Sequence, residues 1–334
     1  MNFRPLIALS AVAASGLVLA GCATGDAGAA EADGAVEVVA STDVYGQIAE
    51  EIGGGLVDVT SIIYSASQDP HSFEPSAQDQ LLVTTADLII ENGGGYDAFV
   101  DALIESSGSD AQVITAAEFS HDYPGNDGHT EDAAAETAET HDAHAEEDGA
   151  ENVHEHEHIE GFNEHVWYDP HTIEQVAEAI AAELSGLLPE EASTFEENAA
   201  AFVAEIADLE ASLKEVGAVA GGAQVFATEP VPAALLAAAG LENVTPHEFS
   251  EAVEEGQDVP PATLLASLDL VNGGDVRVVI ANTQTGGAET TQILGAADAR
   301  GIPVLTFSET LPDGQTYISW MQENVEALAG ALQE

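Results

Sequence analysis

The chain has 334 residues, 45% of them hydrophobic, which is enough for one large domain or two lobes. Four Lys and Arg residues stand against 61 Asp and Glu residues, so the formal net charge at pH 7 is −57. Such a surface repels nucleic acid and anionic lipid headgroups, which excludes nucleic-acid binding, and it attracts cations. Because acids occur along the whole chain, adaptation to high salt explains most of the excess, and charge alone does not indicate a metal site.

The first 21 residues are typical of a lipoprotein signal peptide. Arg4 precedes an apolar run over 6–20, which is shorter than the roughly 20 residues that a transmembrane helix needs. The only cysteine, Cys22, follows Leu-Ala-Gly, and this run resembles the bacterial lipobox, whose cysteine is acylated. We therefore expect a lipid anchor at Cys22 that holds the protein at the extracytoplasmic face of the cell membrane. A Gly- and Ala-rich tether over 22–35 would follow the anchor.

Residues 36–188 alternate short apolar strands with helices, which is typical of parallel βαβ units and predicts an N-terminal α/β lobe. The predicted strands cover 36–42, 57–64, 88–91 and 111–116, and the predicted helices cover 45–52, 76–85, 96–104 and 172–187.

Residues 120–160 interrupt this lobe with a segment that is poor in large apolar side chains. It holds seven of the eleven histidines, separated by acids, so we expect a disordered insertion. We expect His154, His156 and His158 to be weak auxiliary metal ligands. The run over 154–158 also satisfies the zinc-protease pattern H-E-x-x-H. That motif requires a helix with an apolar face, whereas acids and Gly161 flank it here.

A long helix over 189–216 is predicted next, because apolar residues recur at spacings of four and three from Phe195 to Val216. It would join the first lobe to a second α/β lobe over 217–334. In that lobe, strands are predicted at 224–228, 276–281 and 304–307, and helices at 232–239, 261–272, 289–300 and 317–332.

Four motifs that follow predicted strands carry potential metal ligands. In α/β sheets, ligands gather at the carboxyl ends of the strands, so this placement favours a site. Together the motifs offer two imidazoles and two carboxylates, which suit tetrahedral Zn²⁺, or Mn²⁺ if the carboxylates bind bidentately. The motifs are Asp69-Pro70-His71-Ser72, His165-Val166-Trp167-Tyr168, Thr228-Glu229-Pro230 and Ser308-Glu309-Thr310.

The two histidine motifs resemble those of the zinc- and manganese-specific solute-binding proteins of ABC importers, the ZnuA-like or TroA-like group (cluster A-I). The resemblance extends from about residue 36 to the C-terminus, and it implies two α/β lobes joined by one long helix, with the metal in the cleft. By position it implies His71 and His165 as ligands from the first lobe, and Glu229 and Glu309 from the second. Glu309 stands where the family usually has Asp, which keeps the charge but lengthens the side chain.

The resemblance also implies a receptor rather than an enzyme. Such a protein would act as a monomer that captures Zn²⁺ or Mn²⁺ and delivers it to an ABC permease and its ATPase partner. Two carboxylates favour Mn²⁺, the harder ion, whereas the His-rich insertion is typical of zinc members, and we favour zinc. An extracellular zinc metallohydrolase, which needs an open water position and a general base, and a surface adhesin or metal buffer are the alternatives.

Overall fold

Two four-stranded parallel sheets organise the chain in this computed structural model, which describes residues 34–126, 159 and 161–333. The sheets have the orders β2-β1-β3-β4 and β6-β5-β7-β8, so each places its strands in the same sequential pattern. The predicted fold class, two parallel α/β lobes with a long helix, is confirmed. The strands are β1 Val36–Thr42, β2 Val57–Ile63, β3 Leu88–Glu91, β4 Gln112–Thr115, β5 Gln224–Ala227, β6 Glu242–Asn243, β7 Val276–Asn282 and β8 Val304–Phe307.

The helices lie close to their predicted positions, and most of their ends differ from the prediction by three residues or fewer. Helix α7 and strand β6 were not predicted. Within the described ranges, no helix combines the length and the apolar character that a membrane crossing requires. The helices are α1 Asp43–Gly53, α2 Ala77–Thr85, α3 Phe99–Ser107, α4 Pro170–Leu187, α5 Ala192–Ala220, α6 Ala233–Ala238, α7 His247–Glu254, α8 Pro261–Gly273, α9 Ala288–Arg300 and α10 Tyr317–Gln333.

The long helix α5 connects the two lobes through one apolar stripe. It packs against α1 and α4 of the first lobe and against α6 and α10 of the second. The predicted stripe is confirmed, since all seven of its side chains are buried. They are Phe195, Ala199, Phe202, Ile206, Leu209, Leu213 and Val216.

Several predictions concern residues outside the described ranges. The signal peptide, the acylated Cys22 and nearly all of the tether belong to residues 1–33. His154, His156 and His158 belong to residues 127–158. These predictions stay predictions.

Glu91, at the end of β3, is a buried acid in the first lobe. Only 5% of its surface is exposed, and Thr115 Oγ1 donates a hydrogen bond of 2.7 Å to its Oε1 atom. Burial, followed by the negative charges of Asp97 and Asp101, raises the pKa of Glu91 from 4.5 to about 8. Because the protonated form is favoured in the folded state, its stabilising contribution is fully present below pH 4.5 and is lost as the pH rises through about 8.

We expect Glu91→Gln to flatten the pH dependence of stability. Between pH 6 and pH 9 the free energy of unfolding of the metal-free wild type should fall by about 2 to 3 kcal/mol more than that of the variant. This follows because each pH unit between 6 and the pKa of about 8 costs about 1.36 kcal/mol. Chemical denaturation in the presence of a chelator measures the free energy of unfolding of both proteins at each pH. Parallel pH profiles for the two proteins would contradict the pKa assigned to Glu91.

Candidate metal centre

Three of the four predicted ligands come from loops at the carboxyl ends of strands, whereas His165, which was also predicted to follow a strand, lies before a helix. His71 follows β2, Glu229 follows β5 and Glu309 follows β8. His165 immediately precedes the 3-10 turn Val166–Tyr168, which leads into α4. Parallel strands bring such loops to one edge of each sheet, and here the two edges face the same cleft.

A short capped turn holds His71. Residues Pro70–Ser72 form a 3-10 turn, and the side chain of Asp69 accepts hydrogen bonds from the His71 backbone N–H (3.0 Å) and from Ser72 Oγ (2.8 Å). Asp69 is therefore a capping residue. The half-buried His71 ring lies edge-on to Tyr96, with the ring centroids 5.0 Å apart.

Asn163 orients the ring of His165. Its Oδ1 atom lies 2.8 Å from His165 Nδ1 and also accepts a hydrogen bond from the His165 backbone N–H, while its Nδ2 donates to the carbonyl of Pro230. Because the amide oxygen faces the ring, Nδ1 carries the proton and Nε2 is the nitrogen that can bind a metal. Outer hydrogen bonds of this kind set the tautomer and orientation of metal-binding histidines.

Three of the four predicted ligands converge. His71, His165 and Glu309 each offer a ligand atom, and these atoms lie within 4.8 Å of one another. The side chain of His165 is fully buried and Glu309 is 2% exposed, so the group lies inside the protein. Two imidazoles and a carboxylate at this spacing can surround one divalent first-row ion.

Glu229, the fourth predicted ligand, does not join this compact group, but it lies beside it. Asn282, at the end of β7, donates from Nδ2 to Glu229 Oε2 (2.8 Å) and to Glu309 Oε1 (2.5 Å). Thr285 Oγ1 also donates to Glu229. A single amide thus holds the two carboxylates next to each other.

A glycine-rich turn brings Tyr96 into the site. Gly93, Gly94 and Gly95 all have positive φ angles, and a Cβ atom on Gly94 would lie 2.8 Å from the ring of Phe162. The turn directs Tyr96 OH to Glu309 Oε2, at 3.1 Å. Glycine is therefore required in this turn for a reason that the sequence pattern alone did not reveal.

The carboxylates of the centre both have raised pKa values. Burial is the largest cause in each case. It raises the pKa of Glu229 above its ordinary value, and it raises that of Glu309 to about 7, where the charge of Glu229 adds to the effect. A cation that binds here therefore competes with protons for these groups, and more strongly as the pH falls.

Sequence analysis missed Glu254, which α7 brings to the edge of the site. Its Oε1 lies 3.4 Å from His165 Nε2, and burial together with the charge of Glu164 raises its pKa to about 9. Helix α7 was overlooked although its two buried residues, Phe249 and Val253, have the helical spacing of four. This spacing is the sequence signal from which α7 could have been predicted. Glu164 directly precedes the predicted ligand His165 in sequence, but only the fold brings it near Glu254.

Residues 38–331 match the family described as zinc-uptake complex component A, periplasmic. The chain belongs to this family. Its predicted resemblance to zinc- and manganese-specific solute-binding proteins is confirmed.

The curated relatives of this chain include both zinc-binding and manganese-binding proteins. The zinc-binding lipoprotein AdcA of Streptococcus pneumoniae is 26% identical over 308 residues, which are 89% of this chain and 56% of the relative. The manganese-binding lipoprotein MntA of Halalkalibacterium halodurans is 26% identical over 194 residues, 58% of this chain and 54% of the relative. The chain thus spans just over half the length of these relatives.

Solved structures of similar fold extend over nearly the whole chain. The periplasmic zinc-binding protein TroA of Treponema pallidum has a TM-score of 0.67 at 16% identity, and the match covers 90% of this chain and 99% of TroA. The crystal structure of ZnuA has a TM-score of 0.65 at 20% identity, with 90% and 100% covered. At these identities the likeness concerns the fold alone.

We expect Asn163→Ala to weaken binding of Zn²⁺ about tenfold to a hundredfold, because His165 would lose the group that sets its tautomer. Titration against a competing chelator measures the affinity. Asn272→Ala provides a matched control, since this exposed amide on α8 donates to the carbonyl of Leu268, within its own helix. Equal affinities for the two variants would contradict the role of Asn163.

Proposed function

We propose that this chain is an extracytoplasmic receptor that captures Zn²⁺, with Mn²⁺ as the alternative ion, and delivers it to an ABC permease and its ATPase. The observation that carries this proposal is the convergence of His71, His165 and Glu309 within 4.8 Å in a buried cleft between two lobes. Membership of the zinc-uptake family and similarity to zinc- and manganese-binding relatives support it.

The proposed ligand set is His71, His165, Glu229 and Glu309. The first two belong to a lobe over 36–188 and the last two to a lobe over 217–334, so the ion would bridge the two lobes. Asn282 already holds Glu229 next to Glu309, and a change in side-chain torsion would bring Glu229 to the ion. Neutral imidazoles suit Zn²⁺, whereas the carboxylates admit the harder Mn²⁺.

A receptor fits this centre better than a metallohydrolase. Catalytic zinc sites keep one position open for water and substrate. Here the proposed ligands His165, Glu229 and Glu309 are each at most 2% exposed, and two hydroxyl or amide groups already bind each carboxylate. A set of four ligands of which three are buried favours capture and release over turnover.

The location is proposed from residues outside the described ranges. The run Leu-Ala-Gly-Cys supports acylation of Cys22, and curated relatives of the chain are named lipoproteins. Acyl chains at Cys22 would anchor a monomeric receptor to the outer face of the cell membrane.

We expect His71→Ala, His165→Ala and Glu229→Ala each to remove most of the thermal stabilisation by Zn²⁺. Binding to the folded state alone stabilises by about 4 kcal/mol at a thousandfold excess over Kd. Melting curves with and without the ion measure this stabilisation, and elemental analysis of protein purified without chelator identifies the ion that it carries.

His171→Ala is the control for this series. His171 lies with Glu174 and Glu210 in an exposed group whose ligand atoms are also within 4.8 Å of one another. This variant should keep the full stabilisation. A series in which His71→Ala and Glu229→Ala keep it too, while His171→Ala loses it, would move the tight site to the surface group.

We expect Cys22→Ser to release the protein from membranes without changing its affinity for Zn²⁺, because the serine hydroxyl cannot be acylated in the lipoprotein pathway. Fractionation after a salt wash, with immunoblotting of each fraction, tests this. Variant protein that still sediments with membranes would refute the anchor.

A further inference from the structure

A second group of potential ligands adjoins the proposed centre and shares one residue with it. His71, Glu164 and Glu254 each offer a ligand atom, and these atoms lie within 4.8 Å of one another. The distance of 3.4 Å between Glu254 Oε1 and His165 Nε2 makes the two groups contiguous. One imidazole, that of His71, therefore belongs to both.

The two carboxylates of this second group lie at the inner end of an acidic cleft. A cavity of about 760 Å³ opens between α7 and the segment that precedes His165, and both Glu164 and Glu254 line it. His247, Glu251 and Glu255 line it further out, and the side chains of His247 and Glu251 are 81% and 53% exposed. Exposure decreases inwards, since Glu254 is 13% exposed and His165 is fully buried.

The cleft reaches the two carboxylates of the second group but none of the ligands of the buried centre. Among the described residues that line it are Glu164 and Glu254, whereas His71, His165, Glu229 and Glu309 are not part of its wall. An ion that arrives from solvent along this cleft therefore meets Glu254 before it meets the buried ligands. A negative cleft with low-dielectric walls concentrates cations and raises their association rate.

We propose that His71, Glu164 and Glu254 form an outer position for a divalent cation, through which the ion passes to and from the buried centre. This inference rests on the proposed function and adds a route to it. Glu254 and Glu164 bind the incoming ion with His71, and His71 keeps hold of the ion while His165 and Glu309 replace the two outer carboxylates. Release follows the same steps in reverse.

Glu254→Gln tests this proposal, with Glu251→Gln as the matched control. Both changes remove one carboxylate from α7 in the same cleft, but only Glu254 belongs to the outer position. Zn²⁺ association is followed by stopped-flow tryptophan fluorescence, because the ring centroid of Trp167 lies 5.1 Å from that of His165. Zn²⁺ release is followed after mixing with excess chelator.

We expect Glu254→Gln, and likewise Glu164→Gln, to slow both association and release about tenfold, the scale on which a local charge alters association rates. The equilibrium Kd should change less than about threefold, because a residue on the route affects both directions alike. Glu251→Gln should change both rates less than about twofold.

Two results would overturn the outer position. The first is that Glu254→Gln leaves the rates of both association and release unchanged. The second is that it raises Kd while the association rate stays unchanged, which would make Glu254 a permanent ligand of the buried ion. Failure of the proposed function gives a different result, because wild-type protein would then show no tight Zn²⁺ binding at equilibrium.

Discussion

The centre of this protein depends on the need of buried carboxylates for a positive partner. Glu229 and Glu309 meet inside a cleft where burial disfavours their charged forms. Of the basic residues that the structure describes, Lys214 pairs with Glu210 on the surface of α5 and Arg277 donates to the carbonyl of Leu332. A bound cation would supply the positive charge that favours the charged forms of these carboxylates, and the imidazoles would bind the same cation.

The rest of the fold keeps these groups close despite their mutual repulsion. Tyr168 OH donates to the carbonyl of Ser308, and Tyr317 OH donates to that of Trp167, each at 2.8 Å, so hydrogen bonds join the two lobes near the centre. The buried stripe of α5 holds both lobes from behind. Apolar burial and neutral hydrogen bonds thus offset the electrostatic cost of the site.

Overall acidity and the local site play different physical roles. The acids on the exposed surface are hydrated and screened by salt, so they contribute little to the affinity for one ion. The acids in the cleft interact with a cation in a medium of lower dielectric, where each charge counts for more. The net charge of −57 therefore contributes to solubility and to the long-range attraction of cations. Recognition of one ion depends on His71, His165 and the carboxylates around them.

Local patterns determined much of this protein. Apolar runs specified seven of the eight strands, and the spacing of four and three specified the stripe of α5, because each depends on neighbours in sequence. The approach of Glu254 to His165, the bond from Asn282 to two carboxylates and the positive φ angles before Tyr96 depend on the packing of segments distant in sequence. Only the tertiary structure could decide which of the 61 acids share a buried cleft, since burial, rather than residue type, distinguishes a ligand from a solvated charge.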